Sequence, residues 1–132
     1  MRAALAAQLN INAAIMRLAT LCYNACMEKP QDDPVLMRFR AAMTDVYGAR
    51  VERVVLFGSR ARGDARPDSD YDVAVFIKDA GAFTDDSARL AAVSTDILFD
   101  MGAVISATPF PAGAYRERTG FMHELRKDGL DL

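Results

Sequence analysis

The chain has 132 residues, 52% of them hydrophobic and 26% charged, with a formal net charge of −2 at pH 7. That length suits one domain with a single core, and the composition excludes a disordered or fibrous chain. No run approaches the roughly 20 consecutive apolar residues of a membrane span. The mildly acidic balance argues against long nucleic acid as the main partner, because phosphate backbones reward a basic surface.

Residues 1–27 contain no acid, and Leu5, Leu9, Ile15, Leu18 and Leu21 recur at helical spacing. We expect residues 1–32 to form a helical extension of unassigned role ahead of a domain over 33–132. The abrupt change at Glu28 also fits Met27 as the natural start. Cys22 and Cys26 stand at i,i+4 in this segment; they cannot staple the whole domain, so a reducing, cytoplasmic setting is the expectation. Two thiols also lack the further ligands that zinc requires, which favours helix packing.

From Asp33 the signals sharpen. Asp33 with Pro34 predicts a helix start and Gly48 its end, with Val35, Phe39, Ala42 or Met43, and Val46 on the inner face. Val51–Phe57 reads as a buried strand, Gly63–Ser69 as a loop and Asp70–Ile77 as a second strand. A helix over 85–100 stops at Gly102. Ala103–Thr108 is a short third strand, Pro109–Gly113 a turn, and Tyr115–Lys127 a last helix before a short apolar tail. These elements define an α/β (α+β) domain with a small sheet and helices packed on it.

Chemistry concentrates in Gly58-Ser59-Arg60-Ala61-Arg62-Gly63 and Ser69-Asp70-Tyr71-Asp72. A strand that ends in Gly-Ser before a turn of helix leaves backbone N–H groups free to meet an anion. Gly58 permits close approach, the Ser59 hydroxyl adds a donor, and Arg60 or Arg62 could neutralise phosphate. An ordinary strand-to-helix turn has the same look. Alternate strand residues share a face, so Asp70 and Asp72 point the same way with Cα atoms roughly 6.5–7 Å apart. Two such carboxylates repel unless a cation lies between them, and their hard oxygens suit Mg²⁺ together with substrate phosphates. Tyr71, Val73, Val75 and Ile77 take the other, core-facing side.

Two competing motifs fail. Asp68-x-Asp70-x-Asp72 opens like an EF-hand loop, but Val73 stands where glycine is needed. Gly58 to Gly63 has the spacing of a P-loop, but Asp64 occupies the lysine position.

Gly58-Ser59-x-Ala61-x-Gly63, five residues, then Ser69-Asp70-x-Asp72 resembles the signature of the polymerase beta-like nucleotidyltransferase superfamily. The closest likeness is to its minimal nucleotidyltransferases, small proteins that pair with HEPN-domain partners as antitoxin and toxin. Phe121 to Gly129 resembles that group's closing helix, and the likeness spans residues 33–132. It implies the nucleotidyltransferase fold, a small mixed sheet with helices on one side. It further implies Mg²⁺ held by Asp70 and Asp72, in a two-metal site where both metals bind. It places the phosphates of a nucleoside triphosphate, ATP in the first instance, on Gly58 and Ser59; with Arg60, Arg62 and Ser69 these form the expected nucleotide-binding set. The implied reaction transfers a nucleoside monophosphate to an acceptor and releases pyrophosphate. A HEPN-type partner protein is the implied acceptor, and self-association is open.

One feature departs from the pattern. A third acid belongs on the next strand, yet no acid occurs from Met101 to Ala114. Asp96, Asp100 and Glu117 are the nearest substitutes. The alternative reading is therefore a catalytically impaired, nucleotide-binding antitoxin that acts by contact. His123, the single histidine, reads as a surface residue of the last helix, and Arg116 and Arg118 as its solvated start.

Overall fold

The Asp33 carboxylate accepts a hydrogen bond from Val35 N at 2.8 Å, which satisfies an amide that helix geometry leaves orphaned. Pro34 fits the first helical position behind it. Helix α1 (Pro34–Tyr47) follows and ends at Gly48 with φ +55°. The computed structural model describes residues 29–132 together with Ala14, Ile15, Arg17 and Leu18, which are helical. Leu5, Leu9, Leu21, Cys22, Cys26 and Met27 lie outside the described residues.

Strand β1 (Val51–Phe57) runs directly into the short helix α2 (Gly58–Arg62). Strand β2 (Tyr71–Ile77), helix α3 (Phe83–Met101) and strand β3 (Ile105–Pro111) complete a β–α–β unit. A 3₁₀ turn (Ala114–Arg116), helix α4 (Gly120–Asp128) and a two-residue strand β4 (Leu130–Asp131) close the chain. The sheet order is β3-β2-β1-β4. β1 is antiparallel to β2 and β4, and β2 is parallel to β3, so the sheet is mixed.

The two long helices cover one face. Leu36, Phe39 and Met43 of α1 and Leu90 and Ile97 of α3 pack on Val54, Leu56, Tyr71, Val73, Val75 and Ile77. Full burial of each large apolar side chain stabilises by about 1.5–3 kcal/mol, which fixes α1 and α3 to that face. The opposite face is covered too, and only in part, by α4. There Val55, Ala74 and Phe76 meet Ala114, Met122 and Leu125.

Four expectations change. Val46 is 42% exposed and Tyr47, one residue on, takes the buried place. β3 runs on through Pro109 and Pro111 instead of turning at Pro109. It is an edge strand, and two prolines two residues apart direct their missing N–H groups to the same, outer side. Ala112 N confirms that phase by donating inward to Ile77 O at 2.9 Å. The last helix begins at Gly120 and not at Tyr115, because the Thr119 side chain caps Met122 N at 3.2 Å. The tail is a strand, with Leu130 opposite Leu56 and Asp131 opposite Val55. Arg53 grips both oxygens of Asp131 at 2.9 Å.

Thr119→Ala removes that cap. It should destabilise the domain by about 1 kcal/mol, read as a lower midpoint in urea unfolding with an unchanged slope.

Candidate active site

Gly58 adopts φ +72°, a left-handed conformation that costs a side-chain-bearing residue about 1–2 kcal/mol. The kink ends β1 and starts α2 directly. No side chain caps the N-terminus of α2, so its first-turn amides are available to an outside acceptor. A Cβ on Gly58 would lie 2.4 Å from Asp72 Oδ2 and 3.3 Å from its Cγ. The Asp72 carboxylate therefore rests against the glycine backbone. This is the close approach that the sequence pattern anticipates, except that the first group to occupy it is the chain's own carboxylate.

Asp72 pairs with Phe57 on β1 and with Ser106 on β3. Its burial and the neighbouring charge of Asp70 push its carboxyl above the usual carboxylate range, while Arg62 pulls it back. Asp70 is exposed, one residue ahead of β2. The two acids are thus brought together at the mouth of the sheet, close enough for mutual repulsion. A hard divalent cation fits this donor set, because Mg²⁺ commonly takes one or two carboxylates and completes its shell with phosphates and water.

The other expected contacts divide. Arg62 is half exposed and its Nε donates to Asp64 Oδ2 at 3.3 Å. It lines a cleft of about 370 Å³ with Phe57, Gly58, Phe121, Glu124 and Asp128. Arg60 turns the other way. Its guanidinium lies 3.8 Å over the Tyr71 ring, and Tyr71 belongs to the core on the face opposite Asp72. Ser69 Oγ accepts a hydrogen bond from Arg66 N at 2.8 Å, inside its own turn.

No group of three His, Cys, Asp or Glu side chains with metal-binding geometry occurs among the described residues. Register explains the gap. Ser106 and Thr108 of β3 pair with Asp72 and Ala74, so hydroxyls stand where the strand would present an acid. Asp96 and Asp100 lie on α3, which packs against the opposite face, and Asp100 pairs with Arg38 at 3.7 Å. Glu117 is on the Asp72 side. It borders an apolar pocket of about 430 Å³ walled by Phe57, Phe110 and Phe121, with Thr108 beside it. Phe57 and Phe121 line both the pocket and the Gly58 cleft, and their rings meet edge-on at 5.5 Å. Sequence reasoning missed Glu124 and Asp128 as cleft residues. Their i,i+4 spacing put them on one helical face, but nothing local showed that this face turns toward Gly58.

Residues 45–106 match the family model described as polymerase beta, nucleotidyltransferase. That stretch contains β1, α2, β2 and the start of β3, with Gly58, Ser59, Asp70 and Asp72 all inside it. That stretch is similar to a polymerase beta-type nucleotidyltransferase domain. Among solved structures, the chain is similar to one from a toxin–antitoxin crystallised with AMP-PNP. Identity there is 16% over 72% of this chain and 69% of that one, with a TM-score of 0.54. It is also similar to a Sulfolobus solfataricus protein provisionally described as a nucleotidyltransferase. That match has 18% identity, 72% coverage of both chains and a TM-score of 0.48. No curated protein matches the chain. Among the described residues, no helix is long and apolar enough to cross a membrane.

Proposed function

We propose that this domain is a minimal nucleotidyltransferase that moves AMP from ATP to a hydroxyl of a partner protein, with Mg²⁺ held by Asp70 and Asp72. The observation that carries the reading is the Asp72 carboxylate. It is desolvated against Gly58 and repelled by Asp70, a charge arrangement that costs stability unless a cation uses it.

In this reading the first-turn amides of α2 and the Ser59 hydroxyl receive the triphosphate, and Arg62 faces it across the cleft. The acceptor oxygen attacks the α-phosphorus in line, a new P–O bond forms, and the bond to the bridging oxygen of pyrophosphate breaks. The acceptor's proton leaves to water or to a carboxylate of the cleft. Asp70 and Asp72 would hold Mg²⁺, which would supply charge neutralisation to the attacking and leaving oxygens when bound, and the α2 amides hold the non-reacting phosphates.

The aromatic pocket beside the cleft suits the nucleobase. Stacking on an aromatic ring is worth about 1–3 kcal/mol per base, and Phe121 is 44% exposed, so its ring is accessible. Phe121→Ala should weaken ATP binding by that amount, measured by calorimetric titration in Mg²⁺, and should also lower stability because the ring contacts with Phe57 and Phe110 are lost.

The decisive experiment is Asp70→Asn. Asp70 is exposed, so the variant should fold as the wild type does while losing Mg²⁺-dependent AMP transfer to a co-purified partner. Retained transfer would sink the proposal. A second reading is favoured by the lack of a three-acid group among the described residues. In it the domain binds nucleotide but neutralises a toxin partner by contact alone. The similarity to a toxin–antitoxin chain is consistent with either. Neutralisation that survives Asp70→Asn with Asp72→Asn would select the contact reading.

A further inference from the structure

Arg60 is a candidate phosphate contact by sequence, and in the fold groups of the chain itself surround it. Its Nε and Nη2 donate to Ser69 O at 3.0 and 2.7 Å, and Nη2 also reaches Pro67 O at 3.2 Å. The same guanidinium covers the Tyr71 ring at 3.8 Å. Tyr71 in turn donates its hydroxyl to Asp33 Oδ2 at 2.9 Å, in the interior, while Asp33 Oδ1 caps α1. Asp33 is 3% exposed and Tyr71 4% exposed. Ser69 and Tyr71 are the two chain neighbours of Asp70, and one cation grips both.

We infer that Arg60 is a positioning residue for Asp70. Arg60, Tyr71 and Asp33 together lock the backbone on either side of Asp70, so that its carboxylate is presented at the sheet mouth beside Asp72. The inference rests on the proposed metal-dependent function, since it assigns Asp70 the role of a ligand. The chemistry favours arginine in particular. Lysine would offer a single point charge, whereas the planar fork can stack on a ring and still donate in its own plane to two carbonyls. The arrangement also accounts for Tyr71 between two acids. Its side chain points away from them, toward the α1 cap, and ties the strand start to a rigid helix end.

The test uses the full chain with Arg60→Lys, Arg60→Gln and Tyr71→Phe, with two readouts. The first is amide hydrogen exchange over 68–71, compared with Val73–Ile77 as the report of global stability. The second is the Mg²⁺ concentration that gives half of the ATP-dependent rise in melting temperature. Both Arg60 variants should raise exchange over 68–71 by about tenfold, and raise the Mg²⁺ midpoint by about tenfold, the scale of losing one charge-assisted hydrogen bond. Val73–Ile77 should keep their exchange rates, and saturating Mg²⁺ should restore the full ATP effect. Tyr71→Phe keeps the ring under Arg60 and should give a smaller change of the same kind, which covers the case in which an Arg60 variant fails to fold.

Unchanged exchange over 68–71 would overturn the inference. So would an altered exchange with an unmoved Mg²⁺ midpoint, which would leave a purely structural clamp. Loss of the ATP effect in Arg60→Gln but not in Arg60→Lys would also overturn it, because charge alone would then be acting on phosphate. If the wild type shows no Mg²⁺-dependent ATP effect, the proposed function fails, and the exchange pattern alone decides whether the hold on Asp70 exists.

Discussion

Gly58→Ala should abolish Mg²⁺-dependent nucleotide binding and weaken the fold, through two separable causes. The first is backbone strain. At φ +72° an alanine costs about 1–2 kcal/mol relative to glycine. The second is a collision, since the new Cβ would lie 2.4 Å from Asp72 Oδ2. Asp72 then has to leave its place against the backbone, and the pair with Asp70 is lost. Thermal unfolding should show no stabilisation by Mg²⁺ with ATP at 100 times the wild-type dissociation constant, where the wild type gains about 2.7 kcal/mol. A double-mutant cycle with Asp72→Ala separates the causes. That change removes the carboxylate and leaves a Cβ at an ordinary 3.4 Å contact, so only the strain remains in the Asp72→Ala background. The coupling should fall within the 0.5–3 kcal/mol, in round terms about 1–2 kcal/mol, typical of residues in contact. Strict additivity would mean that the carboxylate yields freely and that Gly58 matters for its conformation alone.

Local chemistry made much of this legible in advance. The Asp33-Pro34 start, the β-branched Val51–Phe57 run and the Gly58-Ser59 kink each carry their own structural cause, and each stands where expected. The spacing of Asp70 and Asp72 already places them near one another, although β2 begins at Tyr71 and so carries only Asp72. What failed depended on partners distant in sequence. The extension of β3 to Pro111 needs the parallel register with β2. The tail becomes a strand because β1 has a free edge there. Arg60 and Arg62 are two residues apart on a short helix, and nothing in the sequence says which one turns under the strand. Tyr71 settles that, since its ring offers Arg60 a face on the far side of the sheet. The cleft acids Glu124 and Asp128 were likewise hidden until α4 was laid across the Asp72 side.

The missing strand acid and the raised Asp72 carboxyl bear on one another. With Ser106 paired to Asp72 in place of an acid, Asp70 and Asp72 supply the carboxylates at the strand ends, while Glu124 and Asp128 line the cleft from α4. Two carboxylates are sufficient for one Mg²⁺ that also draws on triphosphate oxygens. A second metal would depend on the same two groups. The acids of the 117–128 segment lie on the correct side of the sheet, yet they form no three-acid group with Asp70 and Asp72 among the described residues.

Asp72→Asn should stabilise the ligand-free domain at neutral pH while removing its response to Mg²⁺. Burial against Gly58 and the charge of Asp70 raise the folded-state pKa of Asp72 above its ordinary value, with Arg62 opposing. The folded state therefore holds the Asp72 proton more tightly than the unfolded chain does. That contribution is fully present below the ordinary carboxylate range and is lost as pH rises through the raised pKa. Above that point the ionised carboxylate is a constant liability to the fold. Asparagine has nearly the same shape and no charge, so its advantage should be absent at low pH, grow across that window, and level off toward neutrality. Melting temperatures of the two proteins from pH 3 to pH 8 read this directly. Adding Mg²⁺ with ATP should reverse the order, because the wild type gains ligand stabilisation and the variant does not. An Asp72→Asn domain that is less stable than wild type at neutral pH without ligand would show that Arg62 outweighs burial and Asp70. The carboxylate would then be a structural ion-pair member and not a group kept under tension for a cation.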